Sequence, residues 1–515
     1  RKALSRQFVD TVKRLFIQPE ERHMAALARR IAKKKGITFE DIAKGSRFRL
    51  SEWDFLKPTK NAVFLILFIA LYLKQKLRTV IISAVMRCSK NPIVIFTSPV
   101  GYMKKLAYKL NASINANFYF LQRWVIPDVG ASLFAKLFLK KFSGVLAMQE
   151  RFSRQFCGKI REMHDLFSYR GITFTDILAE KFENDIAPYI MGLHMWTVEL
   201  HGIVRRFKPS LVVSSGNRLD DSIIGELCRK INMPSIMVSH GSYVYPKNDI
   251  EIIEWGEDGK NYLRAPFSFV ALQSPLDEDY TRFFPPSADA VKTGPLVWGG
   301  SVNTEKSKLT LENILGNGKK NPSKLKVILH ASTQKPNNRL KFHIYETPDE
   351  YIQSLSELAD AVRKIPETLL IVRFKPREDF SSDDLKSIIK FSDNIILSVR
   401  EPFLDLLGMS NLLVSLSSTT ITEALQNRIP VLLYGGRGRY RHIPSYEISG
   451  NIPVERRAVY HIAHEKDLRY GISGILNLGL DRNKDGDLFE SYIYKEDERV
   501  SLVDLMNAGS KGTFK

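Results

Sequence analysis

The chain has 515 residues, 44% of them hydrophobic and 26% charged, which is ordinary globular composition with length for two or three domains. Its three cysteines, Cys88, Cys157 and Cys228, are widely separated and follow no CxxC spacing, so a disulfide framework and a zinc scaffold are excluded and a reducing, cytoplasmic setting is expected. The net charge is +20 and its excess is N-terminal: residues 1–160 hold 31 Lys and Arg against 9 Asp and Glu, out of totals of 76 and 56, which leaves 45 against 47 for the rest.

That basic end has no zinc-finger spacing, basic zipper or RNA-recognition signature. No nucleic acid is therefore expected, and an anionic membrane surface or an acidic lipid-linked glycan is the expected partner. The longest apolar run, Ala62–Leu73, has 12 residues and is followed by Lys74, Lys76 and Arg78. A membrane span needs about 20, so this run reads either as a buried helix or as one lying in the membrane interface. No signal peptide is visible, although the sequence opens on Arg1.

Residues 1–60 read as basic helices. From Pro92 the pattern becomes strand, turn, helix, strand: Pro92–Thr97, a turn at Ser98–Gly101, a helix over Met103–Leu110 and an apolar run Ala116–Leu121. Residues 130–207 read as mostly helical. A βαβ unit follows, with a strand at Leu211–Ser215, a helix over Ser222–Ile231 and a strand Ser235–Ser239 that ends at His240-Gly241. The second half alternates strands at 326–330, 369–374, 395–398, 412–416 and 430–434 with helices at 348–365, 382–391, 403–409 and 421–427.

This periodicity predicts an α/β fold of two Rossmann-like domains facing across a cleft, preceded by a helical basic extension. The expected divisions are 1–90 for the basic region, 91–300 for an acceptor domain, 301–475 for a donor domain and 476–515 for a helical tail.

Five strand ends carry candidate chemistry. Ser417-Ser418-Thr419-Thr420 stands between a strand and a helix, where backbone N–H groups, the helix dipole and four hydroxyls can hold a phosphate. Thr420 and Glu423 also have capping-box spacing, so part of the motif can be plain helix initiation. Arg373 and Lys375 point the same way from another strand end and suit phosphate oxygens, or form a solvated basic loop. His240 can take a proton from a hydroxyl, with Gly241 allowing close approach. Asp220 and Asp221 are the rival base or an orienting group, unless they merely cap a helix. The segment His330-Ala331-Ser332-Thr333-Gln334 can add donor contacts through Ser332. The run Gly435-Gly436-Arg437-Gly438-Arg439 reads as a flexible loop, and no His pair has metal-site spacing.

In their order, His240-Gly241-Ser242, Arg373-Phe374-Lys375-Pro376 and Ser417-Ser418-Thr419 with Glu423-Ala424-Leu425 resemble the GT-B transferases of bacterial surface-polysaccharide synthesis. That group includes capsule sugar transferases and teichoic acid glycerophosphotransferases. The resemblance covers roughly residues 200–470 and extends in layout to nucleotide-sugar 2-epimerases. It implies a nucleotide-sugar donor as substrate, no cofactor or metal, a glycan or lipid-linked glycan acceptor, His240 as base and the hydroxyl turn on the donor phosphate. The glycerophosphotransferases read Arg-Pro-His-Pro where this chain has Arg373-Phe374-Lys375-Pro376, and Glu423 lacks the second glutamate of retaining enzymes, so an inverting sugar transfer is expected. The alternatives are an epimerase and a non-catalytic polyanion-binding scaffold.

Overall fold

The computed structural model describes residues 80–82, 84, 91–98, 101–121, 143–163, 165–169, 172–183, 196–197, 200–216, 220–241, 243–298, 300–316, 324–331, 341, 343–376, 380–450 and 452–510. The expected helices of residues 1–60, the run Ala62–Leu73 and Ser332 lie outside them. The chain forms two compact units, Arg1–Ile82 with Trp124–Val198, and Ser83–Arg123 with Glu199–Lys515.

In the smaller unit a helix Ser143–Glu162 and a helix Thr175–Lys181 flank a two-stranded antiparallel hairpin at 168–173. They bury Cys157, Ile160, Ala179 and Phe182 together. Among the described residues no helix is long and apolar enough to cross a membrane.

The larger unit holds two parallel sheets, and this is the two-domain Rossmann-like α/β architecture. The first comprises β1 (Ile93–Phe96), β2 (Asn117–Phe120), β3 (Leu211–Ser214), β4 (Ser235–Met237), β5 (Phe269–Leu272) and β6 (Asp289–Lys292) in the order β2-β1-β3-β4-β5-β6. The second comprises β7 (Lys326–His330), β8 (Thr368–Arg373), β9 (Ile395–Ser398), β10 (Leu412–Ser415), β11 (Val431–Leu433), β12 (Tyr446–Glu447) and β13 (Val459–His461) in the order β9-β8-β7-β10-β11-β13-β12. Strands this short and wholly apolar, such as Leu412-Leu413-Val414, suit a parallel sheet covered on both faces.

The order changes direction between β1 and β3 in the first sheet and between β7 and β10 in the second, which also inserts β13 between β11 and the edge strand β12. At such switch points the loops part on opposite faces and leave a crevice at the carboxyl ends of the strands.

The helices that matter here are α1 (Gly101–Ser113), α2 (Asp220–Lys230), α3 (Asp249–Leu263), α4 (Pro275–Phe283), α5 (Pro348–Arg363), α6 (Thr419–Gln426) and α7 (Leu502–Ser510). Helix α5 shows why the sequence folds this way. Thr347 caps it, Pro348 opens it, Glu350 closes the capping box, and Tyr351, Leu355, Leu358 and Val362 recur on one buried face. Five strands were expected in the second half and seven form. Tyr446–Glu447 and Val459–His461 are too short to announce themselves as alternating runs.

The chain engages the second sheet's domain as early as Gly300, whose carbonyl accepts from Asn427 Nδ2 at 3.1 Å. At the other end the chain returns to the first sheet: Val500 N donates to Lys292 O at 2.7 Å. There α7 places Leu502, Leu505 and Met506 in the core with Met103, Leu106 and Val213. Leu505→Ala is expected to cost about 2–4 kcal/mol, as a buried leucine truncation does, read as a lowered urea midpoint. An unchanged midpoint would show that this helix is no part of the core.

Candidate active site

At the switch point of the second sheet, the turn between β10 and α6 is tied to the end of β7. The hydroxyls of Ser415 and Thr420 both donate to the Ala331 carbonyl, each at 3.1 Å. Ser418, extended at φ −146° and ψ 151°, is the helix cap, its Oγ accepting from Thr420 N at 3.3 Å. The capping box expected from Thr420 and Glu423 does not form, because capping falls two residues earlier and leaves Glu423 a turn inside the helix. Ser417 and Thr419 stand half-buried at the mouth of the turn. Beneath it, His330 is fully buried, and burial pushes its pKa down to about 4, so the imidazole is neutral.

Arg373 ends β8, one strand beyond β7, and so lies roughly 10 Å across the sheet from β10. Its Nη1 donates to the carbonyls of Phe374 at 3.0 Å and Val399 at 2.7 Å, tying the ends of β8 and β9 together. Burial draws its pKa down, with Glu401 opposing. Lys375 is exposed just beyond.

At the edge of the first sheet, β4 runs into an exposed His240 followed by a buried Gly241. Side chains from the neighbouring β5–α4 turn pin this loop. Gln273 Nε2 donates to Ser239 O at 2.8 Å and Ser239 Oγ at 3.1 Å, while its Oε1 accepts from the N–H groups of Leu296 and Val297. The Asp277 carboxylate accepts from the N–H groups of Tyr243 and Gln273, both at 2.7 Å, and of Ser274 at 3.1 Å. Burial raises its pKa to about 7 against the pull of those three bonds.

Asp221 lies in the first turn of α2, which follows β3, the strand next to that of His240. Its Oδ1 is 3.0 Å from Ser214 Oγ, which in turn lies 3.1 Å from Thr97 Oγ1. Burial raises the pKa of Tyr102, whose phenol bonds Ser215 and faces Asp221. Tyr102, Ser214, Ser215 and Asp221 therefore gather at the switch point of this sheet. Asp220 begins α2, and its side chain lies outside the described residues.

The two edges meet. A Cβ built on Gly241 would lie 2.1 Å from Thr419 Cγ2, so the His240-Gly241 turn sits directly against the start of α6, and a side chain at 241 would force the Thr419 methyl to move. Nearby, burial lowers the pKa of Lys109 on α1, with Glu423 of α6 opposing.

Sequence reasoning missed the brace beside this contact, because its members are ordinary polar residues far apart in the chain. Glu254 of α3 accepts from His343 N and Ile344 N, both at 3.0 Å. Trp255 Nε1 reaches Tyr440 Oη at 3.3 Å, which lies 3.0 Å from His442 Nδ1. Lys247 Nζ donates to the Arg441 carbonyl.

The Gly435–Arg439 run is likewise not a loose loop. Gly436 N donates to the buried Glu346 at 3.2 Å, and Arg439 forks onto Glu350 at 2.6 and 2.8 Å while also donating to the His343 and Tyr345 carbonyls. Gly435, Gly436 and Gly438 all take positive φ, which supplies the tight turn. Among the described residues no three His, Cys, Asp or Glu side chains gather as a metal ion would require.

No protein-family model matches the chain. No curated protein matches it. Among solved structures, the UDP-GlcNAc 2-epimerase of Neisseria meningitidis bound to UDP-GlcNAc is similar at 12% identity and a TM-score of 0.40, over 81% of this chain and 96% of that one. The alpha,alpha-trehalose 6-phosphate synthase of Burkholderia multivorans is similar at 8% and 0.40, over 82% and 95%. The MurG of Acinetobacter baumannii is similar at 10% and 0.33, over 67% and 78%. At such scores the fold rests on the strand orders themselves.

Gly241→Ala is expected to destabilise by about 1–3 kcal/mol through overpacking. Thr419→Ser, which removes the obstructing methyl, is expected to restore at least about 0.5 kcal/mol of that in a double-mutant cycle of urea midpoints. Strict additivity would disprove the contact.

Proposed function

We propose that the protein transfers a sugar, with inversion, from a nucleotide-activated donor to a hydroxyl of a lipid-linked or otherwise membrane-bound glycan. The observation that carries this reading is the Gly241–Thr419 contact, since Gly241 follows the exposed His240 and Thr419 opens a hydroxyl-lined helix at the switch point of the second sheet.

In this reading the start of α6, with Ser417, Ser418, Thr419 and Thr420, bears the charge of the departing nucleotide phosphate. Arg373, Lys375 and Glu423 serve the donor side, and Ser332, outside the described residues, is proposed to add to them. His240 removes the proton of the acceptor hydroxyl as the acceptor oxygen bonds to the sugar carbon and the carbon–oxygen bond to phosphate breaks. Asp221, held by Ser214, orients the acceptor or the imidazole. The basic N-terminal region docks at the inner face of the membrane and presents the acceptor. An epimerase would use the same crevice but needs no acceptor and no basic arm.

His240→Ala is expected to reduce turnover at least about 100-fold, as loss of a general base does, with folding unchanged by circular dichroism. A variant as active as wild type would remove the base from this histidine. Scanning CMP, CDP, UDP, GDP and their sugar conjugates by thermal unfolding should single out one family of nucleotides, since a ligand at about 100 times its dissociation constant adds about 2.7 kcal/mol. A flat response would leave a non-catalytic scaffold. Conversion of the donor sugar with no acceptor present would select the epimerase.

A further inference from the structure

Helix α1 leads away from the crevice of the first sheet and turns one face inward, burying Met103, Leu106, Ala107 and Leu110. Its other face is exposed and carries Lys104, Lys105, Tyr108 and Lys109. Lys104 with Tyr108 and Lys105 with Lys109 are spaced i, i+4, so they form two adjacent rows on one surface. Tyr108 is 80% exposed, the most of the large apolar or aromatic side chains among the described residues.

No acidic residue occurs anywhere between Asp54 and Asp128, so α1 carries no internal counter-charge. Partial burial lowers the pKa of Lys109 and Glu423 of α6 opposes it, which places Lys109 on the side of α1 toward α6. An aromatic ring framed by three cations suits a partner that alternates flat apolar surface with negative charge. It does not suit insertion into lipid, because the helix's leucines and methionine face the core and a single tyrosine remains outside.

We propose that the exposed face of α1 binds an acidic glycan, one whose sugars carry carboxylate or phosphate groups, and guides it toward the crevice beside α6. The inference names the acceptor class of the proposed transferase and rests on that reading, yet it can be tested without catalysis.

The test is binding of fluorescently labelled hexagalacturonate, with neutral maltohexaose, a single-stranded oligonucleotide of equal charge and phosphatidylglycerol vesicles for comparison. The combined variant Lys104→Glu, Lys105→Glu, Lys109→Glu is expected to weaken hexagalacturonate binding at least about tenfold. Tyr108→Ala alone should weaken it severalfold, and the nucleotide response in thermal unfolding should stay as in wild type. Reversing the exposed Lys466, Lys484 and Lys495 instead should leave hexagalacturonate binding unchanged.

Equal hexagalacturonate binding by wild type and the α1 variant overturns the inference, as does a loss confined to the oligonucleotide or to the vesicles. Those results leave the transferase reading standing. Loss of every nucleotide response in wild type, with hexagalacturonate binding intact, would instead remove the transferase and keep the glycan surface.

Discussion

Everything proposed about this molecule depends on how closely the backbone of Gly241 approaches the side chain of Thr419. Gly241 and Thr419 belong to different sheets and come so near that a single methyl group on Gly241 would collide with the threonine. Chain entropy opposes such a meeting, since it joins loops 178 residues apart in the sequence. It is held because each partner is fixed by hydrogen bonds within its own domain. On one side, Thr420 and Ser415 share the Ala331 carbonyl. On the other, Gln273 and Asp277 capture five backbone N–H groups between them, together with the Ser239 carbonyl.

The surrounding polar contacts have the same character. Few are surface ion pairs, which contribute little in water. Several are carboxylates that accept from otherwise orphaned backbone N–H groups, as the half-buried Glu254 does at His343 and Ile344 and the buried Glu346 does at Gly436. Losing the carboxylate of such a bond would leave the N–H donor without its partner. That asymmetry explains how acidic residues fix the loops around the crevice while the exposed imidazole of His240 is left at its edge. It also makes Arg373 a tie between strand ends, and leaves α1 with lysines and no acidic residue of its own.

Much of this was legible in the sequence. The long strands announced themselves as apolar runs closed by turn residues, and the alternation of strand and helix after Lys326 fixed a parallel sheet before any coordinates. The hydroxyl turn and the His-Gly strand end were also visible, because both fall where a strand pattern gives way to a helix pattern. Their contact was not, since nothing in one loop encodes its distance from another. Capping by Ser418 rather than Thr420 was hidden because four consecutive hydroxyls all satisfy the same local preference. The glycine-rich loop was misread for a related reason: its rigidity comes from Glu346 and Glu350, nearly ninety residues upstream. Asp277 gave no signal at all, since a capping aspartate and a loop anchor look identical in a string of letters.

The return of α7 to the first sheet has a consequence for biosynthesis. Leu502, Leu505 and Met506 complete a core whose other members, from Val94 to Ala271, leave the ribosome well before them. At about 5–20 residues per second, the interval between Ala271 and Met506 is on the order of ten seconds or more. Throughout it the first sheet waits with part of its apolar face uncovered, while the second sheet, closed by local segments, is free to fold. A nascent chain of this protein thus finishes its earliest-made half last, and chaperones that shield partly built sheets have their window there.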